Sequence, residues 1–164
     1  MNFSENSSEY SSVASCWDKK WGHITEKWIN IIKKNNLVES EKKISCIDLC
    51  CGTGNLLKQL SKINKNDGSH FLGVDLNQDM LNMANNKDKR IAFELKEVSE
   101  FIFPKTNYIS CTYNSLNYLN SNKNSFEKII INSCKSLIKN GKFIFDFKPY
   151  EFYQNIIKTK ISNS

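Results

Sequence analysis

The sequence predicts an α/β fold, a doubly wound parallel sheet of strand order 3-2-1-4-5 with its ligand at the carboxyl ends of the strands. Two observations carry this reading. Apolar, β-branched runs alternate along the chain with segments of helical periodicity, the pattern of parallel strands joined by crossover helices. In addition, residues 44–54, Ile-Ser-Cys-Ile-Asp-Leu-Cys-Cys-Gly-Thr-Gly, carry an apolar run into an acid and a tight glycine turn, after which Asn55-Leu56-Leu57-Lys58-Gln59-Leu60 reads as helix. A strand that feeds a glycine turn into a helix brings backbone N–H groups and a helix N-terminus up to a ligand. Gly52 and Gly54 are expected at that turn because a Cβ would block both the turn and the ligand's approach.

Taken in order, the first elements are helices over about 9–18 and 24–36, the second with Ile24, Trp28, Ile31 and Ile32 on one face. Strands follow at 44–49, 70–75, 91–96 and 107–112, with helices at 54–63 and 78–86, the latter capped by Asn77. A helix over 123–138 places Phe126, Ile129, Ile130, Cys134, Leu137 and Ile138 at helical spacing, and Asn140-Gly141 stops it. The fifth strand is 142–147, ended by Pro149, and residues 150–157 allow one short helix. Residues 1–8 are expected to form a flexible arm. Residues 9–160 are expected to form one domain, with a helical lid over 9–37 and a sheet core over 44–148.

Composition narrows the class. A chain of 164 residues is one domain by size, and its 40% apolar residues with ten phenylalanines suffice for a core. No apolar run approaches the ~20 residues of a membrane span. The polar, Ser-rich start lacks the pattern of a secretory signal. The six cysteines form no C-x-x-C pair, which argues against zinc and for a reduced, cytoplasmic protein. The net charge of +6 comes from lysines scattered among acids, without the stripe a nucleic-acid partner requires.

The chemistry gathers at strand ends. Phe71-Leu72-Gly73-Val74-Asp75 is a strand that closes on a carboxylate 21 residues after Gly54. An acid at that place accepts from both hydroxyls of a ribose. A dinucleotide fingerprint would need a third glycine at position 57, where this chain has Leu57, and this speaks against a nicotinamide oxidoreductase.

These residues together resemble the class I S-adenosylmethionine (SAM)-dependent methyltransferases of the small-molecule type, a Rossmann-like fold. Asp48-Leu49-Cys50-Cys51-Gly52-Thr53-Gly54 resembles their motif I, and Val74-Asp75-Leu76-Asn77-Gln78-Asp79-Met80-Leu81 their segment after strand 2. Tyr10 to Asp18 is similar to the N-terminal helix that lids the cofactor, with Trp17 in a tyrosine place. Asn114-Ser115-Leu116-Asn117-Tyr118-Leu119 is similar to their turn after strand 4. The resemblance implies a cofactor site built from Tyr10, Trp17, Asp48, Cys50, Gly52, Gly54, Asp75, Leu76, Met80, Glu97, Val98, Tyr113 and Asn114. Glu97 would meet the adenine amino group and Val98 would offer its N–H to the ring. Cys50 stands where the family has its first glycine, a variation that fits if its φ is negative, and Asn107 stands where the family usually has Asp.

The implied reaction is direct displacement, with SAM becoming S-adenosylhomocysteine as its methyl passes to an amine, hydroxyl or carbon of a small molecule. No dedicated base is visible, and the catalytic residues stay unassigned. His70 begins strand 2 at the end away from the ligand, and His23 reads as a surface residue. Tyr113, Asn114 and Tyr118 fall where the methyl should sit, their rings suited either to cation–π contact with a sulfonium or to core packing. Family members continue past strand 5 with a helix and strands 6 and 7, which this sequence lacks. Strand 5 would then be an apolar edge, to be covered by a homodimer or a partner chain. The alternative reading is a truncated or non-catalytic SAM-binding protein that needs a partner.

Overall fold

Five parallel strands in the order β3-β2-β1-β4-β5 form the centre of the molecule, seen in a computed structural model that describes residues 3–84, 88–119 and 123–149. The elements are α1 (Phe3–Lys34), β1 (Ser45–Leu49), α2 (Asn55–Ile63), β2 (His70–Asp75), α3 (Gln78–Ala84), β3 (Ile91–Leu95), β4 (Thr106–Cys111), α4 (Ser115–Leu119), α5 (Lys123–Ser136) and β5 (Leu137–Phe145). β1 sits between β2 and β4, with Asp48 level with Gly73 on one side and Ser110 on the other. This is the Rossmann-like arrangement, and its order reverses between β1 and β4, so a crevice opens at their carboxyl ends.

The two-residue period of the strands divides the core. Cys46, Phe71 and Tyr108 face Ile29 and Ile32 of α1 and Leu56, Leu57 and Leu60 of α2. Ile47, Leu49, Val74, Ile109 and Cys111, at the alternate strand positions, face the other way, onto Leu116, Leu119, Ile129, Phe101 and Phe103. Strands buried on both faces read as continuous apolar runs, which is why β1, β2 and β4 stood out in the sequence.

Several expectations need correction. The two N-terminal helices are one continuous α1, which begins at Phe3 within the expected flexible arm. Gly22 lowers helix propensity but does not break the helix, because its position meets nothing a Cβ would touch and needs no special turn. On α1 the buried stripe is Thr25, Ile29 and Ile32, with Trp28 beside it, whereas Ile31 is exposed. On α5, Ser133 is buried and Cys134 faces out, since the true stripe runs Phe126-Ile129-Ser133. Leu137 and Ile138 belong to β5, whose pairing with β4 shifts register between Thr106 and Tyr108. Asn140, at φ 66°, lies within that strand and does not end a helix. The short α4 was not anticipated. The expected helix at 150–157 lies outside the described residues.

Asn107 has a structural task. Its Oδ1 accepts the Ser45 N–H at 2.8 Å and the Ser45 hydroxyl at 3.1 Å, which ties the start of β1 to β4 at the end remote from the crevice. Among the described residues the six cysteines are all free, and no helix is long and apolar enough to cross a membrane.

Cys50 overturns another expectation: its φ is +55°, not negative. A non-glycine residue in this left-handed region costs roughly 1–2 kcal/mol. Replacing Cys50 by Gly is therefore expected to leave stability unchanged or raise it by up to about 1 kcal/mol, the relief of strain offsetting the lost thiol contact. Cys50→Val should destabilise by about 2 kcal/mol or more, because a β-branched residue is least tolerated there. Urea unfolding of the two variants checks both signs.

Candidate cofactor site

The carboxyl ends of β1, β2, β3 and β4 enclose a cavity under α1. Its first wall is the β1–α2 loop. Cys51 donates its N–H to Val74 O at 3.1 Å and Gly54 to Cys51 O at 2.9 Å, which folds residues 51–54 into a compact turn. Gly52, at φ +53°, has open space where a Cβ would stand. Gly54 is different. A Cβ there would lie 2.6 Å from the Phe93 ring and 3.3 Å from Ala84 Cβ, so this glycine lets the loop pack on β3 and α3 and is not part of the cavity wall.

The second wall is the exit of β2. Asp75 is half-buried, and its two oxygens are already oriented by backbone donors: Oδ2 accepts the Gly52 N–H at 2.7 Å and Oδ1 the Asn77 N–H at 2.9 Å. Burial raises its pKa, and the Asn77 and Gly52 N–H groups pull it back down. Asn77 caps α3 through its own side chain, accepting from the Met80 N–H at 2.9 Å, as its sequence position predicted. Leu76 and Met80 line the cavity on this side, followed by Lys96, Glu97 and Val98 at the exit of β3. Among the described residues the side-chain acids on the wall are Asp48, Asp75 and Glu97, against the single cation Lys96.

Asp48 is the deepest of them, fully buried, with Oδ1 accepting the Ser110 hydroxyl at 2.6 Å. Burial pushes its pKa up to about 7, opposed by the Ser110 hydrogen bond and reinforced by the negative charge of Asp75. The raised pKa means the folded protein holds a proton that the unfolded chain, with an ordinary carboxylate, has released. Stability from Asp48 is therefore complete below about pH 4 and is lost as pH climbs toward 7, by up to about 4 kcal/mol. Denaturant unfolding at pH 5 and pH 8 should show this decline, and Asp48→Asn should flatten it.

The remaining wall comes from the β4 exit and α1. Thr112, Tyr113, Ser115 and Tyr118 line it together with Trp17 of α1. Cys50 completes it, and a hydrogen bond with the free Cys111 thiol, followed by burial, raises the Cys50 pKa well above the ordinary thiol value. α1 is fastened over the cavity by two side-chain hydrogen bonds, Thr53 to Asp18 and Thr25 to Tyr113. Asp18 and Thr53 fall inside motifs quoted from the sequence, although no role was expected of either, and Thr25 was not singled out, since a short polar residue carries no signal of a partner far along the chain.

Of the expected site residues, Trp17, Asp48, Cys50, Gly52, Asp75, Leu76, Met80, Glu97, Val98 and Tyr113 all border this one cavity. Asn114 does not: it turns away at φ 59°, its N–H donated to Asp146 Oδ1 at 2.7 Å. Gly54, as above, stands behind the wall. The side chain of Tyr10 lies outside the described residues. His23 and His70 are both exposed and border no part of the cavity. Leu57, where a dinucleotide fingerprint would have glycine, is fully buried in the core against the sheet. Among the described residues no group of three or more His, Cys, Asp or Glu is placed to hold a metal ion.

The comparisons with known proteins agree with this geometry. A SAM-dependent methyltransferase from Clostridium acetobutylicum ATCC 824 superposes with a TM-score of 0.64 at 29% identity, over 90% of this chain and 61% of its own. SAM-bound CalS10, an amino pentose methyltransferase from Micromonospora echinaspora, has the same fold at TM-score 0.59 and 15% identity, over 82% of this chain and 52% of its own. DhpI in its complex with SAM and HEP gives TM-score 0.67 at 15% identity, over 92% and 68%. The chain thus spans about three fifths of the length of its Clostridium relative. No curated protein matches it in sequence. A family model described as a methyltransferase domain matches residues 46–141, from the second residue of β1 into β5, and the chain therefore belongs to the methyltransferase domain family.

Proposed function

We propose that this chain is a SAM-dependent methyltransferase acting on a small molecule, with SAM in the cavity under α1. The single observation that carries the reading is the acid set on the wall: Asp48, Asp75 and Glu97 at three successive strand exits, with an apolar lining between them. Asp75, its oxygens aligned by the Gly52 and Asn77 N–H groups, retains lone pairs for the two ribose hydroxyls. Glu97 and Val98 take the adenine edge, and Leu76 and Met80 pack on the ring. Asp48, with its pKa pushed up to about 7 and so only part ionised near neutral pH, ionises fully against the ammonium group of the methionine part. A ligand that brings positive charge removes the penalty of burying this carboxylate.

SAM supplies a methyl group already activated on a sulfonium, and the chain's own residues have the task of orientation. Tyr113 and Tyr118 border the cavity beyond β4 and present rings toward the methyl acceptor's side, with Trp17 closing from α1. Exclusion of water by α1 strengthens every charge contact inside. No imidazole lines the cavity among the described residues, which favours an acceptor needing little base help, an amine ahead of a hydroxyl or carbon. The free thiols suit a cytoplasmic setting. β5 borders the sheet among the described residues and leaves Phe145 and Phe147 about half exposed, a face suited to a second copy or a partner chain.

Calorimetric titration of the purified chain with SAM, S-adenosylhomocysteine, NAD and NADP tests the reading. Saturable binding of the first two and none of the last two is the expected result. Binding of NAD in their place would replace the reading with a dehydrogenase-type one.

A further inference from the structure

Asp146 follows directly after β5 and does not border the cavity, yet it is a half-buried carboxylate with an ordered set of partners. Its Oδ1 accepts the Asn114 N–H at 2.7 Å. Tyr113 and Asn114 are consecutive residues in the left-handed region, at φ 64° and 59°. Two successive non-glycine residues rarely hold that conformation unless something outside the turn fixes them. The segment that carries Asp146 is itself pinned to the same turn. Asn117 donates Nδ2 to Lys148 O at 2.9 Å and accepts the Lys148 N–H on Oδ1 at 3.0 Å, in the manner of a short strand pair.

The turn matters because of what it aims. Tyr113 borders the cavity, and its hydroxyl is bonded to Thr25, a buried residue of α1. Trp17 lies on the same helix and closes the cavity from above. A chain of contacts therefore runs from Asp146 through the 113–114 turn to Tyr113, and from Tyr113 to the helix that covers the site.

We propose that Asp146 is a positioning residue: its carboxylate clamps the left-handed Tyr113-Asn114 turn, and so sets Tyr113 against the cofactor and docks α1 over the cavity. The effect on cofactor binding rests on the reading of the cavity as the SAM site. The effect on α1 does not.

Four variants test it: Asp146→Ala, Asp146→Asn, Asn114→Gly as the reference, and the double variant Asn114→Gly with Asp146→Ala. All three tryptophans of the chain, Trp17, Trp21 and Trp28, are on α1, so tryptophan emission, excited selectively over tyrosine, reports the surroundings of that helix. Asp146→Ala is expected to shift the emission to longer wavelength and to weaken SAM binding about tenfold, the size of one lost charge-assisted hydrogen bond. Asp146→Asn should restore most of both, since an amide oxygen accepts the same Asn114 N–H. In the double variant glycine holds a positive φ without help, so the removal of Asp146 should cost much less than it does alone. Should Asp146→Ala lose its fold by circular dichroism, the double variant and Asp146→Asn carry the comparison. Wild-type emission and affinity in Asp146→Ala would overturn the proposal, as would an equal loss with and without Asn114→Gly. If the wild-type chain binds no SAM, the reading of the cavity fails, while the emission shifts still decide whether Asp146 docks α1.

Discussion

An Asp75→Ala variant is expected to bind SAM at least tenfold more weakly and to be less stable by about 2–4 kcal/mol. The two losses have separate origins. The carboxylate accepts the Gly52 N–H on one oxygen and the Asn77 N–H on the other, and so staples the β1–α2 loop to the β2–α3 loop. Hydrogen bonds to a charged group contribute roughly 1.5–3 kcal/mol each, less here because Asp75 is only half-buried. In the proposed site the same oxygens also accept the ribose hydroxyls. Asp75→Asn separates the two tasks. Its amide oxygen still serves one backbone donor, but its NH₂ group turns a donor toward the other N–H and toward the diol. Stability should therefore fall by less than in the Ala variant while binding falls by nearly as much. Urea unfolding and calorimetry on both variants measure the split. Unchanged SAM affinity in a folded Asp75→Ala protein would remove Asp75 from the site.

The largest structural effect is expected at Gly54. Chemistry at a glycine turn suggests that the ligand needs the space, but in the folded chain the space belongs to Phe93. A Cβ on Gly54 would stand 2.6 and 2.7 Å from two atoms of that ring, and a Cβ on Gly73 would meet the same ring at 2.6 Å. Gly54 also has φ +70°, which any side chain resists. The combined strain and overpacking place the cost of Gly54→Val at about 3–5 kcal/mol, a fall in Tm of ~10 °C or more. Such a loss is a large share of the stability of a small domain. The fold signal itself should therefore weaken, contrary to what a ligand-contact role would give. Phe93→Leu should recover part of the loss, since it withdraws the clashing ring, and a thermal melt of the single and double variants reads the coupling. Gly52→Ala, with open space at its Cβ, should cost only the strain of its positive φ.

The strands and the strand-end acids were legible in the sequence because both depend on short-range pattern, and the 3-2-1-4-5 order followed from the fold class that those strands imply. Buried parallel strands make continuous apolar runs, and Asp48 and Asp75 sit at the points where those runs stop. What was not legible depends on partners far along the chain. The φ of Cys50 is set by a loop that must reach Val74 and Asp75, and nothing local announces a left-handed residue there. Ser133 is fully buried on α5 while Cys134, the more apolar residue, faces out, because the helix phase is fixed by Ile129 against the sheet. The helices expected at 9–18 and 24–36 are one α1, which docks through Asp18 and Thr25 on either side of the expected gap. Asp146 was read only as a residue of the fifth strand, expected at 142–147, and its bond to Asn114 spans 32 residues.

The central claim is that the cavity at the ends of β1 to β4 is the cofactor site, and ultraviolet cross-linking of methyl-labelled SAM to the purified chain tests it most directly. After digestion, the account predicts label on peptides that contain Trp17, residues 48–53, residues 75–80, residues 96–98 or Tyr113, the walls of that cavity, with the label competed away by S-adenosylhomocysteine. Label confined to the second groove, between residues 99–105 and the end of α5, would contradict it.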